Sequence, residues 1–183
     1  MATRKPNTTA FWTGRLPHWE VEGGRYFITI HLAGAIPNEG RRRLRTIAAQ
    51  LELIRDHATP EWLRIQRMIF AEMVVEAIVE RSRRGDWQMF QYVVMPTHIH
   101  MFCELGRSLQ ETCEDFKRWT GHRAAQILGL SGHRFWQREW FDHWSRSDEE
   151  DEKIVRYIRD NPLKAGLVEH HADWQFGSSG SSK

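Results

Sequence analysis

The most informative segment of the chain is Val93-Val-Met-Pro-Thr-His-Ile-His-Met-Phe-Cys103, in which a Met-Pro-Thr turn is followed by two histidines. Alternate residues of a β-strand point to opposite faces of a sheet, so His98 and His100 project together from one face. The other face then carries the apolar residues Ile99, Met101 and Cys103. Two adjacent imidazoles above an apolar opposite face suit the binding of a divalent metal. Two unlinked histidines on a solvated face are the alternative that this pattern leaves open.

The segments on either side predict a mixture of strands and helices. Alternating or β-branched residues bounded by turn residues indicate strands, and apolar residues at helical spacing indicate helices. The predicted strands are 25–33, 87–94 and 98–105, and the predicted helices are 39–57, 61–83, 109–128 and 147–161. The strands 87–94 and 98–105 are expected to form a hairpin, and a short further strand is predicted near 134–137. Few long strands separated by helices favour an antiparallel sheet with helices packed on it.

The last predicted helix carries a second functional candidate. Ser147 and Glu150 form a capping box at its start, and Pro162 disfavours helical geometry at Asn161, where the helix is predicted to end. Tyr157 and Asn161 are four residues apart and therefore lie on one side of a helix. Tyr157 falls at the edge of the apolar stripe formed by Ile154, Val155 and Ile158. A phenol there can rest against the sheet with its oxygen in a cleft, and a tyrosine that only packs is the alternative.

Composition excludes several classes of protein. The 183 residues are 40% hydrophobic and 27% charged, as in an ordinary globular protein and unlike a disordered chain. No apolar run is long enough to span a membrane and no secretory signal is recognisable, so a cytoplasmic protein is expected. Cys103 and Cys113 are too few for a disulfide framework and are expected to be buried thiols. We predict an irregular segment over 1–15, one domain over 16–176 and a flexible tail over 177–183.

The kinds of basic and aromatic residues are more informative than the net charge of +2. Only five of the 26 basic residues are lysines, and the chain also contains nine tryptophans. Arginine pairs bidentately with phosphate and aromatic rings stack on bases, so this composition favours single-stranded nucleic acid as a partner. A GC-rich genome, which enriches arginine without any functional reason, is the alternative.

Several segments together resemble one family. The His98-Ile99-His100 strand, preceded by Val-Val-Met-Pro, is similar to the His-hydrophobic-His strand of the HUH endonucleases. Two later segments resemble the REP-associated tyrosine transposases, which are single-tyrosine HUH proteins related to small insertion-sequence transposases. These segments are Trp136-Gln-Arg-Glu-Trp-Phe-Asp-His143 and Arg156-Tyr-Ile-Arg-Asp-Asn-Pro-Leu-Lys-Ala-Gly-Leu-Val168, and residues 23–29 and 173–174 fit the same pattern. The resemblance extends over residues 16–176. Threonine stands at position 97, where many relatives carry asparagine, and no effect on metal ligation is expected.

This resemblance implies a fold and a chemistry. The fold would be α+β, with the ferredoxin-like or RRM-like antiparallel sheet of the HUH endonucleases and helices packed on it. His98 and His100 would hold one Mg²⁺ or Mn²⁺, with Asn161 as the third ligand and His31 as an alternative to it. Tyr157 would attack the scissile phosphate of single-stranded DNA and form a 5′-phosphotyrosine.

The resemblance also implies a substrate, which is DNA with an imperfect hairpin and a short recognition sequence beside its foot. The protein would act as a monomer or homodimer, associated with the nucleoid. Rings and arginines that would hold the DNA lie between the third helix and the catalytic helix: Arg134, Trp136, Arg138, Trp140, Phe141 and Trp144. Further phosphate contacts are predicted for Lys117, Arg118, Arg156 and Lys164. At least two of the rings are expected to belong to the core instead.

Two other functions stay open at this point. The first is a retired transposase that binds a hairpin without cutting it. The second is a metal-dependent phosphodiesterase that uses water as its nucleophile, and it would not need Tyr157.

Overall fold

An antiparallel sheet of four strands lies at the centre of the structure, a computed structural model that describes residues 4–5, 7–33, 60–128 and 134–180. Its strands are β3 (Arg25–His31), β4 (Trp87–Val94), β5 (His98–Leu105) and β6 (Phe141–Trp144), in the spatial order β4-β5-β3-β6. A separate hairpin pairs β1 (Thr8–Thr13) with β2 (Pro17–Val21). The helices are α1 (Pro60–Arg83), α2 (Leu109–Leu128), α3 (Asp148–Arg159) and the short α4 (Asn161–Lys164), followed by a 3₁₀ turn over His171–Asp173.

One face of the sheet forms the main core with α1 and α2. The strand residues Tyr26, Ile28, Ile30, Ile99, Met101 and Cys103 pack there against Val74, Ile78 and Phe116 of the helices. Each fully buried side chain of this kind contributes about 1.5–3 kcal/mol to folding. The alternation predicted for β5 is confirmed, and so are the bounds predicted for β4, β5 and α2. Both cysteines are buried thiols, as expected.

The opposite face of the sheet is covered by α3. Ile158 is fully buried among Val93, Met95 and Phe102, and Ile154 and Val155 pack around the same cluster. Because Phe102 lies on the same face of β5 as His98 and His100, this packing sets α3 beside the two histidines. The helix that carries Tyr157 therefore lies on the face predicted to be functional.

The first turn of α3 is tied to the sheet by charged groups. Ser147 Oγ accepts from the backbone N–H of Glu150 at 3.2 Å, which confirms Ser147 as the N-cap. The Glu150 carboxylate accepts from the N–H of Arg146 at 2.7 Å rather than from that of Ser147, so the second half of the predicted capping box is shifted by one residue. The buried Asp151 carboxylate accepts hydrogen bonds from Arg4 at 2.8 and 3.0 Å and from Arg25 of β3 at 2.6 Å. These bonds hold the start of α3 against β3.

The N-terminal segment is a hairpin, so the prediction that residues 1–15 are irregular is wrong over Thr8–Thr13. The strand is exposed along most of its length, and an exposed strand lacks the apolar alternation by which sequence reveals one. The hairpin is held to the sheet by His18, which is buried, hydrogen-bonds Asp142 and stacks against Trp12 with ring centroids 5.1 Å apart.

Two further predictions about the second half of the chain are wrong. The region 134–137 is not a strand, since it makes only an isolated bridge between Trp136 and Leu32, and the strand beside β3 is β6. Gly177 bridges Val93, and the N–H of Ser178 donates to Tyr92 O at 3.1 Å, so residues 177–180 line the outer side of β4. Strand β4 lies at the edge of the sheet that the structure describes, so its outer backbone groups are not paired with another strand of that sheet. These groups bind the segment that was predicted to be a flexible tail.

The remaining outcomes concern the helices. The helix predicted over 61–83 is confirmed as α1, whereas the helix predicted over 39–57 lies outside the described residues. No helix within the described ranges is long and apolar enough to cross a bilayer.

Candidate metal and nucleophile site

The pairing of β3 with β5 brings three histidines together. In the antiparallel register His31 lies opposite His98, and Thr29 lies opposite His100. The ring centroids of His98 and His100 are 4.5 Å apart, and those of His31 and His98 are 5.3 Å apart. The His98 and His100 side chains therefore project together, as the strand alternation predicts.

Burial keeps these imidazoles neutral. Burial, together with the smaller effect of the neighbouring imidazoles, lowers the pKa of His100 to about 3 and that of His98 to about 4. Burial also lowers the pKa of His31. Neutral imidazole is the form that ligates metals, so the rings are in the binding-competent state at neutral pH.

A buried ring nitrogen without a partner indicates that the histidine pair fits a divalent cation. His100 is only 5% exposed, and within the described part of the chain its Nε2 has no hydrogen-bond partner. Leaving such a buried polar atom unsatisfied costs about 1–3 kcal/mol, a cost that a ligand at Nε2 would remove.

The pair is not a complete protein cage. Across the described ranges, no three His, Cys, Asp or Glu side chains are arranged to hold a metal. His31 therefore does not complete a three-ligand set with His98 and His100 in this arrangement. Any further ligands must be of another kind, such as a side-chain amide or an oxygen of a substrate.

Tyr157 lies beside the pair. Its ring meets that of His100 edge to face, with centroids 5.3 Å apart, and meets Phe27 in the same way at 5.8 Å. The side chain is 42% exposed, so a large substrate can reach it. Lys164 Nζ lies 5.3 Å from the centre of the tyrosine ring and places a positive charge there.

Asn161 was predicted to end the helix that carries Tyr157, but it lies in the following helix. Helix α3 ends at Arg159, Asp160 caps it, and Asn161 is the first residue of α4. Pro162 lacks the N–H that would continue α3, which explains the early end. Tyr157 and Asn161 thus do not share one continuous helix, and among the described residues no hydrogen bond joins the Asn161 side chain to either strand histidine.

Two of the predicted base-stacking rings are buried. Trp136 is 3% exposed and donates from Nε1 to Thr120 Oγ1 at 2.8 Å, and Trp140 is 6% exposed and packs on His18. Neither ring can stack on a base in this arrangement, which corrects their predicted role and agrees with the expectation that two rings are core. Trp144 is half-buried, and Phe141 is 46% exposed.

The predicted phosphate contacts divide in the same way. Lys117 donates to the backbone oxygen of Arg138 at 2.6 Å, and burial lowers its pKa, so it supports the structure. Arg118 is exposed and pairs with Asp115 at 2.5 Å. The side chains of Arg134, Arg138, Arg156 and Lys164 are exposed.

The residues that the sequence analysis missed are hydroxyl groups beside the histidines. Thr29 Oγ1 lies 2.9 Å from His100 Nδ1, and Thr97 Oγ1 lies 3.0 Å from His98 Nδ1. Thr97 was expected to have no effect on ligation, yet it contacts a candidate ligand. Only the register of β3 against β5 could reveal Thr29.

Comparison with known proteins finds relatives of one kind. The chain is similar to the REP-associated tyrosine transposase of Escherichia coli (strain K12), with 24% identity over 159 residues, which are 86% of this chain and 78% of that protein. It is 28% identical over 103 residues to a relative of the same family name from Haemophilus influenzae, covering 46% of this chain and 54% of that protein. A solved structure of a REP-associated tyrosine transposase bound to a REP hairpin superposes with a TM-score of 0.59 at 22% identity, covering 91% of this chain and 82% of that one.

No protein-family model matches the chain. The relative from Escherichia coli and the solved structure nevertheless confirm the predicted resemblance and the predicted fold class.

Proposed function

From its similarity to the REP-associated tyrosine transposases, we propose that this protein is an endonuclease and strand transferase that acts on single-stranded DNA at hairpins. The observation that carries the proposal is the contact between the Tyr157 ring and the His100 ring at 5.3 Å. A partly exposed phenol beside the neutral imidazoles of the buried His100 and the half-buried His98 supports a nucleophile next to a cation site. The named relative that was solved with a REP hairpin supports a hairpin as the substrate.

We assign the cation site to His98 and His100, with Asn161 or a substrate oxygen completing it. Mg²⁺ or Mn²⁺ bound there would withdraw charge from the scissile phosphate as a Lewis acid. The two histidines fix the site on the central strand β5, which cannot shift without breaking its pairing with β3 and β4.

Tyr157 is the proposed nucleophile. Its phenolic oxygen forms a bond to phosphorus and loses its proton, the bond from phosphorus to the 3′ oxygen breaks, and that oxygen leaves as a 3′-hydroxyl after taking up a proton. The DNA is then held as a 5′-phosphotyrosine. Because the phosphodiester energy is kept in this bond, attack by another 3′-hydroxyl rejoins the strand without ATP.

The residues around Tyr157 are suited to receive a nucleic-acid backbone. Lys164 places its ammonium over the tyrosine ring, where it attracts a phosphate. Arg156 is exposed on α3, the helix that carries Tyr157. Phe141 is exposed, and its ring lies 6.2 Å from that of Phe27, the neighbour of Tyr157. Base stacking on such a ring contributes about 1–3 kcal/mol.

The test is capture of the covalent intermediate. Hairpin oligonucleotides with a randomised flank and a fluorescent label on the 3′ side are incubated with the protein and Mn²⁺, then separated on a denaturing gel. We expect a protein–DNA adduct that Tyr157→Phe abolishes and that Tyr92→Phe keeps, since Tyr92 lies on β4 and tests the loss of a phenol alone. His98→Ala and His100→Ala should also lose the adduct.

Two results would overturn the assignment. Cleavage that persists in Tyr157→Phe and depends on His98 would identify a phosphodiesterase that uses water. Hairpin binding with neither cleavage nor adduct would identify a binding module.

A further inference from the structure

We infer that Thr29 and Thr97 are positioning residues, which hold the Nδ1 atoms of His100 and His98 so that both Nε2 lone pairs are free to bind a cation. The role in cation binding rests on the proposed function, whereas the contacts between the hydroxyl groups and the imidazoles do not depend on it. Each threonine hydroxyl lies within hydrogen-bond distance of the Nδ1 atom of one histidine. Thr29 lies 2.9 Å from Nδ1 of His100, and Thr97 lies 3.0 Å from Nδ1 of His98.

A neutral imidazole has one N–H donor and one acceptor nitrogen, so the partner of one nitrogen decides the role of the other. A threonine hydroxyl can accept a hydrogen bond from Nδ1–H, which leaves Nε2 without a proton. If the hydroxyl donated instead, Nε2 of His100 would carry a buried N–H, and that nitrogen has no partner among the described residues. Orphaned buried N–H groups are rare, so we assign the proton of His100 to Nδ1.

Thr29 is the stronger of the two positioning residues. It is 5% exposed, lies directly opposite His100 in the β3–β5 register and is fixed by the backbone pairing on both sides. Thr97 is exposed and sits in the turn before β5, so water can replace its hydroxyl. Loss of the Thr29 hydroxyl should therefore have the larger effect.

This arrangement is typical of metal sites in proteins. Ligating histidines usually donate their second ring N–H to an oxygen, and loss of that partner weakens metal affinity about 10-fold to 100-fold. In this chain the oxygens come from two hydroxyl groups rather than carboxylates, so the imidazoles gain orientation without additional negative charge.

The first measurement does not involve a metal. Long-range proton–nitrogen correlation NMR on the full-length ¹⁵N-labelled protein at neutral pH reports which nitrogen of His100 carries the proton. We expect the proton on Nδ1 in the wild type and in Thr29→Ser, and a mixture of tautomers in Thr29→Val. A proton on Nε2 in the wild type would overturn the inference, as would an unchanged tautomer in Thr29→Val.

The second measurement is the affinity for Mn²⁺ by titration calorimetry. We expect Thr29→Val to weaken binding about 10-fold to 100-fold, Thr97→Val to weaken it less, and Thr29→Ser to stay near the wild type. Thr112→Val is the matched control, because Thr112 is also buried and its hydroxyl has no partner in the described part of the structure. Equal affinities for Thr29→Val and Thr112→Val would overturn the positioning role.

The two measurements separate the inference from the proposed function. If the wild type binds no Mn²⁺ but His100 carries its proton on Nδ1, the proposed cation site fails and the hydroxyl control of the tautomer stands. If the wild type binds Mn²⁺ with the proton on Nε2, the inference fails and the cation site stands.

Discussion

The two faces of strand β5 differ in what their burial accomplishes. Ile99, Met101 and Cys103 point into the main core, where they belong to the cluster of buried apolar side chains and burial contributes directly to folding. His98 and His100 alternate with them on the face beneath α3, where one buried ring nitrogen has no partner within the described ranges. The same strand therefore stabilises the fold through one face, and its other face carries a buried polar atom that lowers the stability.

This contrast indicates how the site is kept in position. The apolar face holds β5 at the centre of the sheet, and the α3 face can then present imidazoles that add little to stability. Function at a cost in stability is the pattern expected of a binding site. Changing each face separately should separate the two properties.

The largest effect on stability is expected from the core face. Met101 is 1% exposed, and Met101→Ala removes most of a buried side chain and leaves a cavity. We expect the free energy of unfolding to fall by about 2–5 kcal/mol, measured by urea denaturation at neutral pH. A loss smaller than that of an exposed substitution such as Phe11→Ala would contradict the assignment of this face as the core.

On the α3 face, an apolar substitution should have a much smaller effect on stability. His100→Leu removes a ring whose buried Nε2 is unsatisfied, but it also leaves the buried Thr29 hydroxyl without its partner. The two changes are about 1–3 kcal/mol each and offset one another, so we expect stability to change little. The same variant should lose Mn²⁺ binding in a calorimetric titration. A destabilisation as large as that of Met101→Ala would mean that His100 is a packing residue.

An effect of intermediate size is expected where α3 is anchored to the sheet. Burial raises the pKa of Asp151, but hydrogen bonds from Arg4 and Arg25 outweigh it and hold the pKa below its usual value. A carboxylate with a lowered pKa stabilises the folded state above the ordinary carboxyl range, and this contribution is lost as the pH falls through the lowered pKa. We expect Asp151→Asn to cost about 1.5–3 kcal/mol at pH 7 and less at pH 3, by urea denaturation.

Asp148→Asn is the matched control for this anchor. The Asp148 side chain lies in the same first turn of α3 and also pairs with Arg4, but it is 87% exposed, so solvent screens the pair and its loss should change stability little at either pH. Equal effects of the two variants at pH 7 would show that the burial of Asp151 adds nothing to its pairs with the arginines.

The sequence predicts the elements that have strong internal patterns. Strands β4 and β5 and helix α2 are bounded by turn residues and have clear periodicity, so their limits are found correctly. The strand beside β3 is misplaced because the aromatic residues over 134–144 suit a strand throughout. Only pairing with β3 selects Phe141–Trp144, while Trp136 turns into the core.

The site is predicted in part for the same reason. Strand alternation places His98 and His100 on one face, and the family resemblance indicates Tyr157, whose ring contacts that pair. The role of Thr29 depends on the register between two strands about seventy residues apart, which local sequence patterns do not determine. Nor does composition distinguish the buried ring of Trp140 from the exposed ring of Phe141, because both are large aromatic residues.

The smallest effect is expected on the exposed surface of α3, where a substitution should change only the affinity for DNA. Arg156 is exposed one residue before Tyr157, so in the proposed function it neutralises one backbone phosphate. Each such contact contributes about 0.7 to the slope of log affinity against log salt for single-stranded DNA. We expect Arg156→Ala to weaken binding of a hairpin oligonucleotide and to reduce this slope by about that amount, measured by fluorescence anisotropy at several salt concentrations.

Arg83→Ala provides the control for this surface. Arg83 is also exposed, but it ends α1, the helix on the core side of the sheet, so its removal should leave the salt slope unchanged. If both substitutions reduced the slope equally, the DNA would be bound by the overall positive charge of the protein rather than at a defined surface. A reduction confined to Arg156 would instead place the DNA backbone along the helix that carries the nucleophile, because only that surface would have lost a contact.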